Sequence, residues 1–433
     1  MLVTDYETAL AYIYSRPRLH KEANLNRMTQ LLAGLGNPQE NQQFIHVTGT
    51  NGKGSVVKMV SCLIEELGLK VGRYTSPFIM RFNERIAINQ EPISDADLVT
   101  VTQQIQTTVA QIQTTDPEFE VTEFEWITAM MFLYFKQQQV DVAVVEVGIG
   151  GLYDSTNVLT PLISVITSIG LDHQALLGKT FAEIATQKAG IIKAGHPVVI
   201  GQLPKEALTV VEETATRLNS SLAISGCDFS SAAVKTLPTW GQQLTFQNDA
   251  VTYRQLQIPL MGDYQIENAA VALQVFWCYL QLTQQKLEVR DIKRALKRVN
   301  WPGRFEKIND EPLIILDGAH NPEGVAQLVQ TTRHQFKNRD IYLLFGALGD
   351  KNLDEMLPQL KKIATRMVLT TVPDNPRAAT AAQYAAVDET ITFEPDWPVA
   401  LTELLADVSA DDVLLVTGSL YLISTIRQYF KGE

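Results

Sequence analysis

Short apolar runs alternate along this chain with longer stretches in which apolar residues recur at helical spacing. The runs Phe44–Thr48, Val71–Tyr74, Val142–Val147, Leu162–Thr167 and Val198–Gly201 read as strands. Between them Val56–Leu67, Asp95–Gln113, Thr122–Gln137, Phe181–Ala189 and Lys205–Leu218 read as helices. Apolar strands that alternate with helices predict a mostly parallel sheet covered on both faces. From Ser221 to Leu260 the pattern shortens to runs such as Gln243-Leu244-Thr245-Phe246 and Gln255-Leu256-Gln257-Ile258, which predict a small antiparallel addition. Helices are expected again at Tyr264–Gln281 and Arg290–Val299, and Trp301-Pro302-Gly303-Arg304 stops the second of them. Strand–helix alternation then restarts with Leu313–Leu316, Ile341–Phe345, Met367–Thr371 and Val413–Thr417. The expectation is α/β throughout. Residues 1–300 form a domain with a mostly parallel sheet and an antiparallel addition, and residues 301–433 a smaller, Rossmann-like α/β domain.

At 433 residues the chain exceeds the usual size of one hydrophobic core, which agrees with two domains. With 45% hydrophobic and 19% charged residues its composition is that of an ordinary globular protein. A formal charge of −12 argues against nucleic acid or an anionic membrane as partner, because either favours a basic face. Cys62, Cys227 and Cys278 are too few and too scattered for a disulfide framework or a zinc site, which suits a reducing cytoplasm. The N-terminus shows no secretory signal, and no apolar run approaches the ~20 residues of a membrane span. A cytoplasmic enzyme is expected.

The candidate chemistry begins at Val47-Thr48-Gly49-Thr50-Asn51-Gly52-Lys53-Gly54-Ser55, which leaves the first strand and opens a helix. Glycines in such a loop let backbone N–H groups face oxyanions, the helix N-terminus adds positive partial charge, Lys53 reaches the outer phosphates and the Ser55 hydroxyl lies near the cation. The strict motif is not met: Val47 replaces its first glycine, and Gly54 separates Lys53 from Ser55. The strand and helix around it still make the N-terminal domain P-loop-type, with ATP held by Thr50, Asn51, Gly52, Lys53, Gly54 and Ser55. Phosphoryl transfer also needs a divalent cation. Glu146 is a carboxylate late in an apolar strand, costly unless paired or metal-bound. Asp172-His173 follows the strand that ends near Thr167, and Thr75-Ser76-Pro77 ends the strand Val71–Tyr74. From spacing alone, a turn before proline is the better reading of Ser76. His20, His46, His196 and His334 read as structural.

Taken together these residues resemble the Mur ligase superfamily, and most closely the folylpolyglutamate synthase/dihydrofolate synthase family. The resemblance is carried, in order, by Gly49 to Ser55, Thr75-Ser76-Pro77 with Glu84-Arg85-Ile86, Glu146-Val147-Gly148-Ile149-Gly150-Gly151, Leu171-Asp172-His173, Lys188-Ala189-Gly190-Ile191-Ile192-Lys193, Trp301 to Arg304, Leu316-Asp317-Gly318-Ala319-His320-Asn321-Pro322 and Thr417-Gly418-Ser419. It implies that Ser76, Glu146 and His173 ligate magnesium (Mg2+) and that Lys188 is carried as its carbamate. It further implies that Asn268, Arg304 and Asp317 contact ATP in a cleft between the domains. His320 and Ser419 are candidates for holding the incoming amino acid, although before Asn321-Pro322 His320 also suits a helix start. Lys53, His173 and Lys188 are the residues expected to carry catalysis. A monovalent cation is a further candidate cofactor.

The implied reaction adds L-glutamate to the γ-carboxylate of a reduced folate through an acyl phosphate, with ATP as the third small-molecule partner and a monomer expected. Bifunctional members usually carry His-Leu after the Ser-Pro, where this chain has Phe78-Ile79. That departure favours chain extension over an added dihydrofolate synthase activity. The rivals are a nucleotide-binding switch without ligation, a kinase or simple NTPase, and a cell-wall peptide ligase.

Overall fold

The computed structural model describes residues 2–18 and 24–432, so that His20 lies outside the described residues. Two compact units are present. The first holds residues 1–234, 243–258 and 267–299; the second holds 235–242, 259–266 and 300–433.

The first unit is built on an eight-stranded sheet. Its strands are β1 (Phe44–Thr48), β2 (Val71–Tyr74), β3 (Ile86–Ile88), β4 (Glu91–Pro92), β5 (Val142–Glu146), β6 (Ile163–Ile166), β7 (Val198–Ile200) and β8 (Leu222–Ile224), in spatial order β4-β3-β2-β5-β1-β6-β7-β8. From β2 to β8 every pairing is parallel, while β3 and β4 add an antiparallel edge. Every residue of β1 and β5 is buried, as their mostly apolar character requires of strands covered on both faces. One core gathers Phe44, Trp126, Phe132 and Phe135 around these strands, and a second packs Ile166, Ile184 and Val211. A three-stranded sheet of β9 (Phe229–Thr236), β10 (Gln242–Asn248) and β11 (Thr252–Ile258) is the expected addition. Leu222–Ile224 departs from that expectation, because it pairs in parallel with β7 and extends the main sheet.

The parallel helices and strands agree with the sequence pattern to within a few residues. Val142–Val147 ends at Glu146, Leu162–Thr167 narrows to Ile163–Ile166, and Met367–Thr371 shifts to Arg366–Leu369. The helix expected from Val56 begins at Lys53, since its first turn is polar and adds nothing to the apolar period. Helices Tyr6–Tyr14 and Asn26–Gly34, and the β3–β4 edge, were not legible at all.

In the second unit β12 (Glu306–Asp310), β13 (Leu313–Leu316), β14 (Ile341–Phe345), β15 (Arg366–Leu369), β16 (Thr392–Phe393) and β17 (Val413–Thr417) form a sheet in the order β12-β13-β17-β14-β15-β16. Only the β12 edge is antiparallel among these described pairings. Ile315, Phe345, Leu415 and Tyr384 lie in its core together with Met261, which comes from before the helix Asp263–Thr283.

Candidate active site

β2, β5, β1 and β6 are consecutive neighbours and run the same way, so their carboxyl ends share one edge of the sheet. At roughly 4.8 Å per strand, four such ends lie within the span of one phosphate chain and its cation. The loop after β1 carries Gly49 to Gly52, that after β2 carries Ser76, β5 ends in Glu146, and the segment after β6 carries His173. Parallel topology thus brings the loop after β1, Ser76 and Glu146 to one edge, while His173 lies seven residues beyond the end of β6.

The loop after β1 is pinned from β6. Thr50 N–H donates to Ser168 O at 2.9 Å, Asn51 N–H to Ser168 Oγ at 2.9 Å, and Thr167 Oγ1 to Asn51 O at 2.6 Å. Thr50 Oγ1 accepts from Gly170 N–H at 2.9 Å. Gly52 caps the helix Lys53–Glu65 with φ +85 and offers no side chain to its first N–H groups. Those donors and the helix dipole therefore face whatever anion enters the loop. Lys53 Nζ donates to Gly49 O at 2.9 Å and Thr50 O at 3.2 Å, which holds its charge over the same loop. Asn268 closes the far side: a Cβ on Gly52 would lie 2.3 Å from Asn268 Oδ1.

Glu146 is 4% exposed, and its carboxylate accepts the Ser76 N–H at 3.1 Å. Ser76, read from spacing as a turn residue, does sit in a bend before a cis proline, and that bend aims its backbone at Glu146. Glu84 shapes the loop from Ser76 onward by accepting from the N–H groups of Ile79, Met80 and Arg81. His173, at φ +51, opens the short helix Gln174–Leu177 and sits 3.9 Å from Asp172. Among the described residues no three His, Cys, Asp or Glu side chains form a metal cage. The Glu146 carboxylate and the Ser76 hydroxyl at one sheet edge are oxygen donors of the kind magnesium takes, with several waters kept and few protein ligands; the His173 imidazole is a nitrogen donor and a less usual partner for it.

Lys188 ends the helix Phe181–Ala189 and is 3% exposed. Its ammonium forms no hydrogen bond or ion pair among the described residues. Burial, reinforced by the charge of Lys53 and opposed by Asp172 and Asp154, brings its pKa down to about 7. Lys188, Lys53 and Asp172 thus occupy one electrostatic neighbourhood.

In the second unit Asp317 follows β13 and is 4% exposed. It accepts from Phe305 N–H and Ala319 N–H, each at 2.8 Å. Burial raises its pKa, while the Arg304 charge acts in the opposite direction. Gly318 is small enough to admit Arg304, whose Nη1 would lie 2.5 Å from a Cβ there. His320 Nδ1–H donates to Gly318 O at 2.8 Å. Asn321, not His320, caps the helix Pro322–Gln335. Ser419 is 3% exposed and caps the helix Leu420–Lys431 by accepting from Tyr421 N–H at 3.1 Å.

Sequence reasoning passed over Asp154. Its two oxygens take the N–H groups of Ile149 and Thr156, each at 3.0 Å, and so hold the glycine loop after Glu146. An aspartate two residues before a threonine in a loop was the available signal, and it is a common one.

Fold and site together define a two-domain Mur-type ligase: residues 47–276 match the Mur ligase middle domain, and residues 303–420 the Mur ligase glutamate ligase domain. The folylpolyglutamate synthase of Lacticaseibacillus casei is 45% identical over 99% of this chain and 99% of its own. The dihydrofolate synthase/folylpolyglutamate synthase of Bacillus subtilis is 37% identical over 99% of this chain and 100% of its own. A solved FPGS–AMPPCP–folate complex superposes with a TM-score of 0.90 at 43% identity, covering 98% of this chain and 99% of that one. The chain belongs to the folylpolyglutamate synthase family.

Proposed function

We propose that this chain joins L-glutamate to the γ-carboxylate of a reduced folate, cleaving ATP to ADP and phosphate through an acyl phosphate. The observation that carries the reading is full-length similarity, 45% identical, to a folylpolyglutamate synthase, on a chain whose pinned glycine loop is built to meet phosphate. The substrate carboxylate attacks the γ-phosphorus and becomes an acyl phosphate; the glutamate amine then attacks that carbonyl, loses a proton and expels phosphate. Two anions must approach each other in the first step. Lys53 and the N–H groups of Gly52, Lys53 and Gly54 oppose that repulsion as fixed positive charge and dipoles. Thr50, Asn51, Ser55 and Asn268 complete the cradle, and Arg304 and Asp317 are proposed as further nucleotide contacts. Holding carboxylate, phosphorus and amine in line contributes roughly 7–11 kcal/mol in favourable cases.

Glu146, Ser76 and His173 would hold magnesium, the cation that neutralises charge on the phosphate oxygens when bound. Lys188 is proposed to react as a neutral amine with carbon dioxide, losing a proton and becoming an anionic carbamate. Its burial and its pKa of about 7 support that chemistry. His320 and Ser419 are proposed to meet the incoming glutamate. Residues 1–300 would supply the ATPase part and 301–433 the amino-acid part of a cytoplasmic monomer that binds neither nucleic acid nor membrane. The charge of −12 supports the last point, and no helix among the described residues is long and apolar enough to cross a membrane.

A bifunctional enzyme that also joins dihydropteroate and glutamate is not favoured: Phe78 follows Ser76-Pro77, and the relative named for chain extension alone is the more similar of the two. ADP release measured with reduced folate and L-glutamate, each omitted in turn, tests the reading. Release only when both are present is expected. Release that ignores both substrates would make the chain a switch or simple NTPase instead.

A further inference from the structure

A buried line of polar side chains runs from the middle of β1 to the glycine loop after β5. His46 is 0% exposed, in a strand whose other side chains are mostly apolar. Its Nε2 lies 2.8 Å from Thr156 Oγ1, and that oxygen lies 2.5 Å from Asp154 Oδ1. Asp154 Oδ1 also accepts the Thr156 N–H, and Oδ2 accepts the Ile149 N–H.

Proton counting fixes the roles. Burial raises the Asp154 pKa, but the Thr156 hydroxyl and the backbone N–H groups of Ile149 and Thr156 all point at its oxygens and favour the carboxylate, so the single Thr156 hydroxyl proton goes to it. The Thr156 oxygen must then accept from His46, which makes the imidazole the Nε2–H tautomer. Its Nδ1 is a bare acceptor, and it has no partner among the described residues. Burial, with the Lys193 charge behind it, pushes the ring down to about 3. An aliphatic side chain would fill β1 without stranding a nitrogen there. What the imidazole adds is the hydrogen bond to Thr156.

The loop at the far end touches both halves of the proposed site. Glu146 lies two residues before it. Thr48 Oγ1 donates to Gly150 O at 2.6 Å, and Leu152 N–H to Gln187 O at 2.7 Å, one residue before Lys188. A Cβ on Gly151 would lie 2.8 Å from Gln187 O, so the loop fits closely against the Lys188 helix. We infer that His46, Thr156 and Asp154 are positioning residues for the ligation, acting through residues 148–151 to hold Glu146 and Lys188 in register. For its link to catalysis this inference rests on the proposed ligase reading.

Two measurements test it. In full-length protein with 15N-labelled histidine, His46 should show a protonated Nε2 and a bare Nδ1, without titrating between about pH 5 and 9. A protonated Nδ1, or titration in that range, would overturn the relay whatever the enzyme's reaction. In the kinetic arm, His46→Gln places an amide N–H at similar reach and should keep most of the turnover. His46→Leu and Thr156→Val should each lower kcat by about tenfold or more, as loss of outer supports does elsewhere. Nucleotide affinity measured without divalent cation should stay unchanged, and the double variant should lose no more than the worse single one. Wild-type kcat in Thr156→Val, additive losses, or a His46→Gln as slow as His46→Leu would each refute the inference. Thr156→Val and the labelled wild type decide the matter even if His46→Leu does not fold.

Discussion

At Gly52 the backbone takes φ +85, and a Cβ would come within 2.3 Å of the Asn268 carboxamide. Gly52→Ala is therefore expected to cost about 1–2 kcal/mol from the left-handed backbone alone, with a further loss of nucleotide binding; urea unfolding and nucleotide titration check the two effects. Lys188 is constrained through its proton. Its folded pKa is about 7, against 10.5 for the ordinary side chain. Between those values the unfolded chain holds the proton and the folded chain does not, so stability rises with pH across that window. Below the window the burial penalty is present in full. Lys188→Met should accordingly raise the melting temperature most at pH 7 and below in CO2-free buffer, and its advantage should shrink toward pH 10. The same variant should lose ligation and not regain it with bicarbonate. A wild-type enzyme stripped of carbon dioxide should recover on adding bicarbonate; equal rates before and after would exclude the carbamate.

At the scale of elements, β1 and the helix Lys53–Glu65 form one working piece. β1 lies between β5 and β6, and Ile45 in it is 0% exposed. Ile45→Ala should destabilise by about 2–5 kcal/mol, read from chemical denaturation. Lys53→Met leaves that packing intact, so a normal melting curve with almost no turnover is expected. Near-normal turnover would remove Lys53 from the scheme. Both elements were visible in the sequence because apolar strands and apolar helix faces have distinct periods. The first turn of the helix was not visible, because Lys53, Gly54 and Ser55 are polar or small and add nothing to the apolar period. The β3–β4 edge escaped for a related reason: Glu91-Pro92 is exposed and has no apolar pattern to betray it.

For the whole molecule the division between units does not follow a single cut in the chain. Residues 235–242 and 259–266 belong with the second unit, where Trp240 stacks on Phe305 at 6.0 Å and Met261 joins the core. A fragment of residues 301–433 lacks both side chains. It should melt with less cooperativity and show weaker near-ultraviolet dichroism than the same region in the full chain. A sharp native-like transition in the fragment would show that these segments contribute little. The sequence placed a boundary at Trp301 to Arg304 because Pro302 and Gly303 end a helix. Nothing in local periodicity could show that earlier segments return to the later unit.

The residues alone determined the alternation of strands and helices, the glycine loop between a strand and a helix, and the carboxylate at the end of an apolar strand, since each depends on near neighbours in the chain. Tertiary structure decided which strand ends lie side by side, that Asn268 faces Gly52, and that burial brings the Lys188 ammonium down toward neutrality. It also placed His46, one of the histidines set aside as structural, 2.8 Å from Thr156 in a line of polar side chains ending at the glycine loop. Pairing of distant strands and the loss of water around a charge depend on the whole packed chain, and no local pattern encodes them.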